Sequence, residues 1–145
     1  LDFGVSKLAD HGGTLTKGHV VGTPGYMAPE QARGKTVDHR ADLYALAAIA
    51  YRSLTGHPPF SGKDVPTTLY DVVYKMPKQP SELAKLPVQV DLVLAIAMAK
   101  DRDKRFDSAQ ELADALFAAS RGELDKKWIT RGYALLTQHP WGVTL

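Results

Sequence analysis

A mainly α-helical fold is predicted for this chain by three observations. Apolar residues recur at helical spacing in five stretches. Strand-like alternation is absent, apart from a residue or two near the start. Glycines, prolines and capping residues fall at the edges of the periodic stretches, where helices begin and end.

Residues 5–25 are rich in Gly, Thr and His and carry no sustained periodicity, so they read as a loop. Residues 28–33 suit a short helical turn with Pro29 at its start, where a missing N–H costs little. Over 41–54, Leu43, Leu46, Ala47, Ala50 and Leu54 make one stripe, and Ala45, Ala48 and Ile49 make other faces apolar. A helix apolar nearly all round is expected at the centre of a domain. Asp42 falls in its first turn, where a carboxylate suits the positive helix end. Gly56 ends it and Pro58-Pro59 forbid continuation.

A shorter helix is predicted over 67–75 with Leu69, Val72 and Val73 as its apolar set, then a loop over 76–87 holding three prolines. A second strongly apolar helix follows over 88–100, and Asp101 to Arg105 form a charged turn. Ser108 and Glu111 make the S-x-x-E pattern of a capping box, opening a helix through Ala119 with Ala109, Leu112, Ala113 and Leu116 inward. Arg121-Gly122 breaks it. Residues 123–138 read as one more amphipathic helix, with Leu124, Trp128, Leu135 and Leu136 near one side, stopped by His139-Pro140-Trp141-Gly142.

Composition excludes several classes. The chain holds 145 residues, 44% hydrophobic and 23% charged, enough for one domain with a core. A formal charge of +2 gives no argument for nucleic acid or a membrane surface. With no cysteine there is no disulfide, thiolate nucleophile or Cys-ligated zinc, which fits a reducing compartment. No apolar run reaches the roughly 18 residues of a membrane span. His11, His19, His39, His57 and His139 show no metal-binding spacing and read as loop or surface residues.

Five blocks stand in order: Leu1-Asp2-Phe3-Gly4; Gly22-Thr23-Pro24-Gly25-Tyr26-Met27-Ala28-Pro29-Glu30; Ala41-Asp42-Leu43-Tyr44-Ala45-Leu46; Leu54-Thr55-Gly56-His57-Pro58-Pro59-Phe60; and the Arg105 turn. The first two resemble the DFG and APE ends of a protein-kinase activation segment. Taken together, residues 1–119 resemble the C-terminal lobe of eukaryotic-like (Hanks-type) bacterial serine/threonine protein kinases. The resemblance implies a two-lobed α+β parent domain of which this chain carries the helical lobe. Residues 1–30 would be the activation segment, 31–119 the rest of the lobe, and 120–145 a helical tail or linker.

The resemblance also assigns roles. Asp2 would ligate Mg²⁺ beside ATP, since a hard cation takes oxygen ligands. Phe3 would position Asp2, and Gly4 would let the backbone swing. Thr23 would touch the catalytic-loop aspartate and lysine, and marks the Ser/Thr class. Pro24, Gly25 and Tyr26 would line the pocket for the residue after the phosphoacceptor. Thr14 and Thr16 would be phosphorylated, with a kinase homodimer as the route to autophosphorylation. Glu30 and Arg105 would form a buried structural ion pair, and Asp42 would hydrogen-bond the catalytic-loop backbone. Ala47 stands where the family usually has glycine, adding one methyl at a close-packed spot.

The Gly-rich phosphate loop, the β3 lysine, the αC glutamate and the HRD catalytic loop precede DFG in a kinase, and none occurs in this sequence. The chain therefore reads as the back half of an ATP-dependent kinase acting on protein Ser/Thr hydroxyls, inactive alone. The alternative is a pseudokinase or truncated lobe serving as a protein-binding scaffold; the state of an upstream HRD motif separates the two. The kinase region is expected to be cytoplasmic, and a membrane anchor or sensor beyond Leu145 is left open.

Overall fold

The computed structural model describes residues 24–145. After a 3₁₀ turn at Pro24–Tyr26 come α1 (Pro29–Ala32), α2 (His39–Thr55), α3 (Val65–Tyr74), α4 (Pro80–Leu83) and α5 (Val88–Ala97). A 3₁₀ turn at Arg102–Lys104, α6 (Ala109–Ser120) and α7 (Lys126–Gln138) complete the order. Among the described residues the only β-pairing is an isolated bridge between Lys75 and Thr144.

Helix starts are fixed by side-chain oxygens that accept from orphan backbone amides. Asp38 accepts from the Arg40 amide to open α2, Asp64 from that of Thr67 to open α3, and Asp125 from that of Lys127 to open α7. Gly56 ends α2 at φ +78°, left-handed backbone that an L side chain rarely adopts. At α6 the capping box is displaced. Ser108 Oγ accepts from the Glu111 amide as expected, but the Glu111 carboxylate accepts from the amide of Asp107 rather than that of Ser108.

The enclosed helix is α5, whose residues 90–97 are all buried. The expectation that 41–54 is buried all round is corrected: α2 buries Ala41, Tyr44, Ala48, Tyr51 and Thr55, while Ile49 and Leu54 are 40% and 37% exposed. The inward face of α6 is also rotated from the expected one. Leu112, Ala115 and Ala119 are buried, whereas Ala109 and Ala113 are exposed. Alanine periodicity alone does not fix a face, because alanine costs little in water.

The stretch 76–87 is not all loop. Helix α4 begins with Pro80 and lacks a cap from its own N-cap residue, Gln79. The buried Asp91 of α5 supplies one, accepting from the Ser81 amide at 2.9 Å, Ser81 Oγ at 2.6 Å and Gln79 Nε2 at 2.8 Å. A cap donated from ten residues downstream leaves no local signal.

Residues 120–145 pack on the lobe. Helix α7 crosses α5 at Gly132, where a β-carbon would stand 2.9 Å from Leu92 Cβ. Trp128 meets Phe106 edge-to-face at 4.8 Å between centroids. The chain then doubles back along the end of α3, with Met76 N–H donating to the Val143 carbonyl, Gly142 to Pro77 and Leu145 to Tyr74. No helix among the described residues is long and apolar enough to cross a membrane.

Candidate functional site

Two elements of low intrinsic order, the Pro24–Tyr26 turn and the four-residue α1, are held in place by the helices behind them. Gly25 is buried, and a β-carbon there would come within 3.0 Å of the Phe60 carbonyl oxygen. Glycine is required by this close approach to a backbone atom, not by its dihedral angles. The Tyr26 hydroxyl accepts from Arg52 Nη1 of α2 at 2.8 Å. Thus Pro24, Gly25 and Tyr26 lie together as one turn seated against α2 and α3.

Helix α1 carries Glu30, which is buried together with Arg105. Arg105 Nη1 and Nη2 donate to the two Glu30 oxygens at 2.7 Å and 2.8 Å. Such a fork-on-carboxylate pair fixes orientation as well as distance. The guanidinium is satisfied further: Nε donates to the Ala99 carbonyl at 2.8 Å, and Nη1 to that of Arg40 at 3.1 Å. Its face lies over the Tyr44 ring at 5.0 Å. One side chain therefore ties α1, α2 and the turn after α5 together.

Two partners of this assembly were not singled out from the sequence. Gln31, also buried, accepts from the Ala28 amide at 2.9 Å and so closes α1 from within. Tyr44 is fully buried; burial drives its hydroxyl far above the usual phenol range, with the Arg105 charge pulling the other way. The Ala-Pro-Glu-Gln order and the aromatic two residues after Asp42 were the available signals. Asp42 itself is half-buried in the first turn of α2. Asp2, Thr14, Thr16 and Thr23 lie outside the described residues, so their geometry is not part of this site. Among the described residues no group of three His, Asp or Glu side chains is placed to hold a metal ion.

What the described geometry does chemically is position, not react. It presents the Pro24–Glu30 backbone on a rigid helical base through one buried ion pair and one close glycine contact. Ala47, fully buried on α2, is accommodated in that base.

The profile of the family described as "Protein kinase domain" matches residues 1–118. The chain is 41% identical over 125 residues to the probable serine/threonine-protein kinase PknB of Bifidobacterium longum, covering 84% of this chain and 18% of that protein. It is 41% identical over 151 residues to the DNA damage-responsive serine/threonine-protein kinase RqkA of Deinococcus radiodurans, covering 98% of this chain and 22% of that one. A crystal structure of the PknI kinase domain of Mycobacterium tuberculosis, a double mutant, superposes with a TM-score of 0.55 at 33% identity, over 70% of this chain and 36% of that one. The chain thus spans about a fifth of the length of the curated relatives it matches. By ordered motifs, by the helical lobe and by these likenesses, the chain belongs to the protein kinase family, among the bacterial serine/threonine-protein kinases.

Proposed function

We propose that this chain is the activation segment and C-terminal lobe of an enzyme that transfers the γ-phosphoryl group of ATP to Ser or Thr hydroxyls of proteins. The observation that carries the reading is the Glu30–Arg105 pair, which anchors the Pro24–Glu30 segment to the lobe through both carboxylate oxygens. A segment that must present a substrate hydroxyl in line with a phosphoryl group needs such a fixed base, because phosphoryl transfer depends on positioning and charge stabilisation.

In this reading Asp2 supplies one oxygen to Mg²⁺, which neutralises charge on the ATP phosphates when bound. Thr23 orients the catalytic-loop groups, and Pro24, Gly25 and Tyr26 shape the pocket beside the acceptor. Asp42 holds the catalytic-loop backbone. Phosphorylation of Thr14 and Thr16, by a second copy of the kinase, adds roughly −1.5 to −2 charge per site and orders the loop against arginine. Residues 120–145 belong to the folded lobe in place of a linker; their packing through Gly132 and Trp128 supports this.

The test is transfer of labelled phosphate from ATP to a basic protein by the full-length protein. Asp2→Asn is expected to lower the rate by about a hundredfold or more, the scale of losing a principal electrostatic group. An Asp2→Asn protein as fast as its parent would overturn the assignment. A parent protein that binds partners but transfers no phosphate would favour the scaffold alternative.

A further inference from the structure

A groove of about 370 Å³ opens between α1, the end of α3 and the turn that follows α5. Three cationic side chains line it, Arg33, Lys35 and Arg102, with the half-buried Lys100 behind them, against the two carboxylates of Glu30 and Asp101. Both Glu30 oxygens are taken by Arg105, which neutralises that carboxylate from behind. Asp101 is engaged locally, its Oδ1 accepting from the Asp103 amide at 2.9 Å. The ion pairs among the described residues use Arg40, Arg105 and Arg121, so Arg33, Lys35 and Arg102 have no carboxylate partner among those residues.

These cations are not all loose surface chains. Arg102 Nη1 is fixed by the Thr36 carbonyl at 2.8 Å, which leaves its other N–H groups to donate elsewhere. Arg33 lies over the Tyr74 ring at 5.7 Å, which orients the guanidinium without consuming its donors. Lys100 is anchored by donation to the Val72 carbonyl at 2.6 Å. With Glu30 neutralised by Arg105, Asp101 is left as one carboxylate against three cations, so the groove keeps a net positive charge that an anion would offset.

We propose that this groove binds a phosphate monoester dianion. Two guanidinium forks and an ammonium match a tetrahedral anion with three acceptor oxygens better than a single planar carboxylate. The phosphoryl group could be borne by a phosphothreonine of a protein or by free phosphate, and recognition by the groove is the same for both. Binding here requires no phosphoryl transfer, so a catalytically silent protein would still show it.

The experiment measures fluorescence anisotropy of a labelled phosphothreonine peptide and its unphosphorylated twin with the full-length protein, and calorimetric titration with inorganic phosphate. The phosphopeptide is expected to bind at least about tenfold more tightly than its twin, and Arg33→Gln/Lys35→Gln to erase most of that difference, the scale of losing charge-assisted hydrogen bonds. Both substituted residues are exposed, so folding is spared; Lys35→Glu alone gives a second, charge-reversing check. A heat of phosphate binding lost in the same variants would identify free phosphate as a sufficient ligand. Equal binding of the two peptides together with no phosphate heat, or unchanged binding in all variants, would overturn the proposal.

Discussion

Arg105 holds Glu30 through two parallel hydrogen bonds although the two residues lie 75 positions apart. Replacing Arg105 with alanine strands a buried carboxylate, and about 3–5 kcal/mol of stability is expected to be lost in denaturant unfolding. Glu30→Ala/Arg105→Ala should cost less than the sum of the single changes, because neither charge is then left alone. A single-mutant loss within about 0.5 kcal/mol, the usual surface value, would contradict the buried pair.

Gly132 offers a test with a reversed sign. Glycine to alanine inside a helix ordinarily stabilises by about 0.5–1 kcal/mol. Here the new β-carbon would stand 2.9 Å from Leu92 Cβ and 3.3 Å from its Cα, so α7 must move away from α5. Gly132→Ala is expected to destabilise by about 1–3 kcal/mol, as overpacking does. A melting temperature at or above that of the parent would refute the close crossing.

Trp128 tests whether residues 120–145 share the core. Its ring meets Phe106 and lies beneath Lys127 and Arg131, each 4.8 Å from the ring centroid. Trp128→Ala is expected to cost about 2–4 kcal/mol, near the range for buried aromatic truncation. A flexible linker would tolerate the change without loss.

The pH dependence of stability has a definite sign. Burial, reinforced by Arg105 and opposed by Asp71, lowers Lys100 to about 7. The unfolded lysine titrates near 10.4, so between these values the unfolded state binds the extra proton. Stability from this group therefore rises as pH increases from about 7 towards 10. Burial of Tyr51 acts oppositely, raising its hydroxyl to about 12, so stability falls again above pH 10. Equilibrium unfolding across pH 7–10 should show the rise, and Lys100→Met should flatten it; an unchanged slope in the variant would remove Lys100 as its cause.

Much of the fold was legible because its signals were local. Ser108 caps from within three residues, and Gly56 stops α2 by its own backbone. The caps from Asp38 and Asp64 went unread, and α2 and α3 begin at His39 and Val65, ahead of the expected Ala41 and Thr67. The pairing of Glu30 with Arg105 was legible only through family resemblance, since no local pattern links residues so far apart. The short helix α4 was missed because its cap comes from Asp91, and the burial of Tyr44 because a guanidinium in the core gives no periodic trace. The exposed flank of α2 was misread for a related reason. Alanine, isoleucine and leucine look alike to a periodicity argument, whichever surface covers them.

The doubling-back of the final residues along α3 has a consequence for how the lobe opens. Met76 is tied to Val143, Gly142 to Pro77 and Leu145 to Tyr74, so these backbone groups protect one another. The amides of Met76, Gly142 and Leu145 should exchange with deuterium as one cooperative unit, at a common free energy, despite their distance in sequence. The lobe's outer edge thereby becomes a clasp of two segments that release together or not at all.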